Sequence, residues 1–381
     1  MIFRPVVRSL CTGAVVLAAG VTAIAPCAAL APQAGHRSPG SGTGSGTRAP
    51  ALPGQVSALS WVVADATTGD VLASKDAHRH LPPASTLKTL FALTVLPHLP
   101  ARQLHTVTGA DLEGLGEGSS RVGVVEGHTY RVDDLWRGVF LSSGGDAVHV
   151  LASMNGGWQK TRDEMRRRAA QLGAGDTRVM SPDGYDTPGQ YSSAFDLAVF
   201  GRTGLADPAF ARYCSTSVAE FPGGLDKSGR AEAPYEIQNT NRLLAGTQDV
   251  SPYPGLIGVK NGYTTAAGNT LIAAAHRGSR TLIVTVMNPQ EGTVYEDARS
   301  LLDWGFAASG KVRPVGSLRP PVARTTTASA PGPAQGAGAA LVAAHRSTTR
   351  KASVLGGFAA VGALLASLSA SLWLLRRRMR R

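Results

Sequence analysis

Two stretches of biased composition decide which part of the 381-residue chain can fold. Residues 32–54 are rich in Gly, Ser, Pro and Ala and include the run Gly40-Ser41-Gly42-Thr43-Gly44-Ser45-Gly46. Residues 310–353 are rich in Ala, Pro and Thr with scattered basic residues. Such segments bury too little apolar surface to offset the entropy of ordering, so they predict a flexible lead-in and a disordered stalk. Folding capacity is then confined to residues 55–309, enough for one large domain or two closely packed lobes. No internal repeat is visible.

The two ends read as targeting and anchoring segments. Arg4 and Arg8 precede an apolar, charge-free run from Ser9 to Ala25, and Ala29-Leu30-Ala31 closes it before Pro32. This predicts a signal peptide, residues 1–31, cleaved after Ala31. Val354–Leu375 carries no charge and is long enough to cross a hydrocarbon core of about 30 Å as a helix. Arg376, Arg377, Arg378, Arg380 and Arg381 follow it. Basic residues collect on the cytoplasmic side, so residues 376–381 are expected inside and the folding region 55–309 outside a single-pass anchor.

Charge and cysteine content exclude several classes. The net charge of +12 would suit a nucleic-acid partner, but residues 311–381 hold twelve Lys and Arg and no acid. Residues 1–310 hold 26 basic and 26 acidic residues, so no nucleic-acid partner is expected. Cys11 and Cys27 would leave with the signal, and Cys214 alone makes no disulfide. The nine His show no His-Glu-x-x-His pattern, so neither a metal nor another cofactor is expected.

Within the folding region, Ser57–Ala64 and Val71–Ser74 flank the turn Asp65-Ala66-Thr67-Thr68-Gly69-Asp70 and predict a β-hairpin. Ser85 opens a mostly apolar helix, Val132–Ser142 predicts another, and Gly144-Gly145 separates it from a helix beginning at Asp146. Thr161 with Glu164, and Ser193 with Asp196, predict helix starts. Leu256–Val259, Thr270–Ala275 and Thr281–Met287 predict strands, and Glu296–Trp304 a closing helix. Strands at both ends with helices between them predict an antiparallel sheet covered by helices, an α+β or α/β sandwich.

Three short patterns carry chemistry. In Ser85-Thr86-Leu87-Lys88 the helical i, i+3 spacing sets an amine beside a hydroxyl. A serine is a weak nucleophile until a neighbouring base takes its proton, and a desolvated lysine can be that base. Alone, the pattern reads more simply as an N-cap serine followed by a surface lysine, since Ser is a favoured cap. Lys260-Asn261-Gly262 follows an apolar strand: the glycine permits close backbone approach, and the lysine offers a cation to a carboxylate. Asn-Gly is also an ordinary turn signal. Ser143-Gly144-Gly145-Asp146 marks a break between helices.

Taken together these patterns resemble the serine penicillin-binding enzymes, and in particular the D-alanyl-D-alanine carboxypeptidases. Pro82-Pro83-Ala84-Ser85-Thr86-Leu87-Lys88 is similar to their nucleophile segment, and Ser143-Gly144-Gly145-Asp146-Ala147 to their Ser-Gly-Asn-Asp-Ala. Asp183-Gly184-Tyr185 with Gly189 to Ala198, and Gly258 to Thr264 with Ala267-Gly268-Asn269, extend the likeness over residues 55–308. The resemblance implies a β-lactamase/transpeptidase-like fold with helices on both faces of the sheet and a helical subdomain. It implies Ser85 as acyl-enzyme nucleophile, Lys88 as its base and Ser143 as a proton relay. Lys260 would hold the substrate carboxylate, the backbone of Ser85 and Tyr263 would form the oxyanion hole, and Asn261, Gly262 and Thr264 would complete the substrate edge. Peptidoglycan stem peptides are the implied substrate, and β-lactams the implied covalent inhibitors.

Two departures stand out. Asn261 replaces the usual threonine, and its amide can still donate to a carboxylate. Gly145 replaces the usual asparagine, which removes a side chain that orients lysine and substrate. That substitution supports an alternative, a weak or silent homologue that binds peptidoglycan or scaffolds other wall proteins. A D,D-endopeptidase of the same fold is a second alternative. Residues 176–190 contain no Glu-x-x-x-Asn pattern, so a β-lactamase is not expected.

Overall fold

A computed structural model describes residues 49–226 and 228–319, together with the backbone of residues 42–43. The predicted signal peptide, most of the lead-in, the stalk beyond residue 319, the span 354–375 and the basic tail lie outside the described residues. Among the described residues no helix is long and apolar enough to cross a membrane.

The core is an antiparallel sheet whose five long strands run in the order Asp70–Lys75, Ala58–Asp65, Arg280–Pro289, Gly268–Arg277, Leu256–Thr264. Short two-residue strands, Gly42–Thr43 and Gly316–Ser317, pair with Asp70–Lys75. The first and last parts of the domain therefore share one sheet, as the sequence pattern predicted. The hairpin turn forms because the Asp65 carboxylate accepts from the N–H groups of Thr67 and Thr68, at 2.8 and 3.0 Å.

The central strands read as near-continuous apolar runs because both faces are covered. Alternation assigns the faces: Trp61, Val63, Ala273, Val284 and Val286 pack with Leu301, Leu302 and Trp304 of the closing helix. Val62, Ala64, Ile272, Ala274 and Ile283 pack with the remaining helices. Those helices are α1 (Lys88–Val95), α2 (Val132–Leu141), α3 (Gly145–Met154), α4 (Trp158–Gln171), α5 (Ala194–Leu205) and α6 (Pro208–Ser215). The expected mixed α/β sandwich with a helical subdomain is the observed fold. A four-residue turn of helix, α7 (Arg242–Ala245), precedes the edge strand, and α8 (Val294–Ala308) closes the domain.

Two details differ from the sequence reading. Thr161 and Glu164 do not start a helix: α4 begins at Trp158, and Thr161 N–H donates to Gly157 O at 3.0 Å inside it. Gly156 and Gly157, with φ of +97° and +105°, turn the chain sharply enough for the helix to begin earlier. Glu164 instead accepts from Asn155 Nδ2. Boxes with both reciprocal bonds sit at Thr108 and Asp111, before the short 3₁₀ turn Gly109–Leu112, and at Thr293 and Glu296, at the start of α8. Packing also continues past residue 309, since Leu318 is buried and Gly316–Ser317 extends the sheet.

Candidate active site

Ser85 lies in a single 3₁₀ turn, Ala84–Leu87, that feeds directly into α1. The turn is anchored through Pro83, whose carbonyl accepts from Thr86 Oγ1 and from Thr270 Oγ1 of the sheet. Lys88, one turn on, is almost wholly buried, and its Nζ lies 2.7 Å from Ser85 Oγ. Burial pushes the Lys88 amine down to about 8, while the Asp183 and Asp146 carboxylates push it back up. A lysine so placed carries a useful neutral fraction near neutral pH, and in that form it can accept the Ser85 proton across the same short contact.

The edge strand Leu256–Thr264 passes across the nucleophile. A Cβ on Gly262 would lie 2.6 Å from Ser85 N and 2.8 Å from Thr270 Oγ1, so only glycine allows the strand this close. A second close approach comes from the opposite wall, where Gly184 has φ +82° and a Cβ would sit 2.0 Å from Ala84 O. Beside Gly184, Asp183 accepts from Tyr185 N–H at 3.0 Å and from Ser181 Oγ. Asp186 takes Thr264 Oγ1 at 2.7 Å and Ala266 N–H at 3.0 Å, tying this wall to the end of the strand.

Ser85, Lys88, Gly145, Tyr263 and Thr264 face one cleft of ≈ 230 Å³, with residues 117–120 and Asp183–Asp186 completing it. A larger adjoining groove of ≈ 570 Å³ begins at Asn261, Gly262 and Tyr263 and runs to Arg242, Thr293 and Tyr295. Tyr263, two-thirds exposed, borders both. Asn261 Oδ1 accepts from Thr240 Oγ1 at 3.0 Å, which leaves Nδ2 as its donor.

Ser143 and Lys260 line neither opening. Ser143 is buried at the α2–α3 joint with φ +58°. Lys260 is 1% exposed and donates to Asn261 O at 2.9 Å. Burial, and then the charge of Lys88, hold the Lys260 amine well below its ordinary value.

Three contributors were not assigned roles from sequence. Asp146 accepts from the N–H groups of Val122, Gly123 and Val124 at 3.0, 2.8 and 2.9 Å, stapling that segment across the start of α3. Its place directly after the Ser-Gly-Gly pattern was the available signal. Tyr185 Oη donates to Glu117 O at 2.8 Å, closing the rim between two walls. Arg242 brings its guanidinium 5.4 Å from the Tyr295 ring centroid in the larger groove, and no motif marked it. At Gly145, the N–H donates to Ser120 O at 2.7 Å. A Cβ there would meet Ser120 O and Leu115 Cδ1, both at 3.3 Å, so segment 115–120 has settled over the space a side chain would need.

Residues 46–291 match the family model for D-alanyl-D-alanine carboxypeptidase, well over half of the chain. The chain belongs to this family of serine peptidases. It is 40% identical over 267 residues to the carboxypeptidase DacB2 of Mycobacterium tuberculosis, covering 68% of this chain and 86% of that protein. It is 34% identical to DacD of Escherichia coli, covering 66% of this chain but only 64% of DacD. The crystal structure of a D-alanyl-D-alanine carboxypeptidase from M. tuberculosis matches with a TM-score of 0.63 and 36% identity, over 71% of this chain and 98% of that one. The carboxypeptidase family and the serine-enzyme chemistry expected from the motifs are therefore borne out.

Proposed function

We propose that this enzyme removes the terminal D-alanine from peptidoglycan pentapeptide stems through an acyl-enzyme on Ser85. The observation that carries the reading is the 2.7 Å contact between Lys88 Nζ and Ser85 Oγ inside a buried site. Neutral Lys88 takes the hydroxyl proton as Oγ attacks the carbonyl of the penultimate D-alanine. The N–H groups of Ser85 and Tyr263 receive the developing oxyanion, a term typically worth about 2.7–4 kcal/mol per donor. Ser143 passes a proton to the departing amine, and water then releases the shortened stem by the reverse use of Lys88.

The substrate carboxylate is met at the mouth of the larger groove by Asn261 Nδ2. Lys260 lies beneath, and Arg242 supplies charge from the groove wall. A guanidinium stays protonated throughout the working range. β-Lactams would acylate the same serine. The terminal segments add a cleaved signal and a C-terminal anchor at residues 354–375, which would hold the domain outside the cytoplasmic membrane.

The direct test is D-alanine release from a diacetylated pentapeptide. The chain should release it, and Ser85→Ala should not; equal release by both would end the proposal. Gly145 favours the second reading, a weakened enzyme. Gly145→Asn separates the two. A rise of about an order of magnitude or more, on the scale of a restored positioned hydrogen bond, would mark the natural enzyme as weakened. No gain would mean that segment 115–120 already fills the role.

A further inference from the structure

Outside the reaction centre, four titratable side chains meet at the base of the wall that faces Ser85. His78 Nδ1 lies 2.7 Å from Asp176 Oδ2, and His80 Nε2 lies 3.6 Å from Asp176 Oδ1. Ser193 Oγ donates to the same carboxylate at 3.1 Å. Asp176 N–H and Thr177 Oγ1 both donate to Asp196 Oδ2, at 2.9 and 2.7 Å, and Asp196 is 1% exposed. The imidazoles are seated on aromatic rings, His78 on Phe195 at 4.6 Å and His80 on Tyr191 at 4.3 Å.

These contacts join three segments. Residues 78–81 lead through Pro82 and Pro83 to Ser85, and residues 176–178 and 191–196 are the two feet of the loop 179–190. Backbone bonds between Leu81 and Ser192, and between Arg178 and Tyr191, run between the same segments. The loop carries Asp183, Gly184 and Asp186 along the cleft. We propose that His78, His80, Asp176 and Asp196 form a pH-sensitive buckle that holds loop 179–190 against the nucleophile turn in mildly acidic medium and loosens it in mildly alkaline medium.

The charge balance gives the direction. With His78 protonated, Asp176 ionised and Asp196 neutral, the cluster is compensated; with His78 neutral and both carboxylates ionised, two anions adjoin without a partner. The charges acting on Asp196 include Asp176 and His78, and those acting on Asp176 include His78 and His80. Arg79 and Arg178, on the same segments, are exposed. The Asp176 bond raises the His78 pKa, so that pairing is fully present below about 6.5 and is lost as pH rises through the folded value. Burial raises Asp196 to about 7, so its contribution likewise fades as pH climbs from 3.8 to about 7. Burial pushes Asp176 up, but the bonds from His78 and Ser193 and the charges of His78 and His80 hold it below its ordinary value, so its contribution is lost only toward strong acid.

The test is amide hydrogen exchange of segment 179–190 in the full-length chain at pH 6 and pH 8, corrected for intrinsic rates. This readout follows the loop and is separate from the titration of Lys88. Protection should be about tenfold lower at pH 8, the factor equivalent to one pH unit of linkage. Asp196→Asn, neutral at both pH values, should keep more of the pH 6 protection at pH 8 than the natural chain does. His78→Gln should show the weaker protection already at pH 6. Equal protection of the natural chain at both pH values would overturn the buckle, as would an unchanged pH response in both variants.

Discussion

At the residue scale, the site depends on one buried amine held close to one hydroxyl. Since the Lys88 amine is pushed down to about 8 and must be neutral to act as base, acylation should rise with pH and level off above about 8. The slope below that point should be about tenfold per unit. A stopped-flow record of penicillin acylation from pH 6 to 9.5 checks this, and a flat profile would remove Lys88 from the role. Lys88→Arg should not acylate, because a guanidinium stays protonated. Arg242 makes a different prediction. Arg242→Ala should raise KM for pentapeptides ending in a free carboxylate by about tenfold, roughly 1.4 kcal/mol, while leaving kcat and the KM of C-terminally amidated peptides nearly unchanged. A uniform fall in kcat for both substrates would instead place Arg242 in a structural role.

At the element scale, the legible features were those with local causes. The hairpin at Asp65–Asp70 and the Ser193 cap on α5 follow from side chains bonding backbone within a few residues, and the helix break falls at Gly144-Gly145, where Gly144 leaves helical geometry without a side-chain cap. The start of α4 was misread because a Thr-x-x-Glu pattern also occurs inside a helix, where Thr161 and Glu164 serve Asn155 instead. Long-range roles were less legible. Asp146 spans 22 to 24 residues to reach Val122, Gly123 and Val124, a distance no local pattern encodes. Asp146→Asn would set an amide donor against backbone donors in a buried place. The expected loss is about 3 kcal/mol in denaturant unfolding, on the scale of one or two stranded buried groups. Acylation should fall with it, because residues 117–120, which line the cleft, lead directly into the segment that Asp146 holds. An unchanged midpoint would mean that segment 119–124 is held by other contacts.

At the scale of the whole molecule, strands from both ends of the domain form one sheet, and that closure brings Ser85, near the start, under Gly262, near the end. The sequence placed the two motifs in order but could not supply the distance between them; the glycine contact at Ser85 N does. The sequence reading assigns Lys260 to the substrate carboxylate; its buried amine donates to Asn261 O, and half-buried Arg242 lines the adjoining groove. The account stands on Ser85 being the residue that this assembled site activates. The most direct measurement is peptide mapping by mass spectrometry after brief reaction with benzylpenicillin. The account predicts one penicilloyl group on the peptide containing Ser85, absent in Ser85→Ala; an adduct on Ser143, Ser193 or any other residue, or none at all, would contradict it.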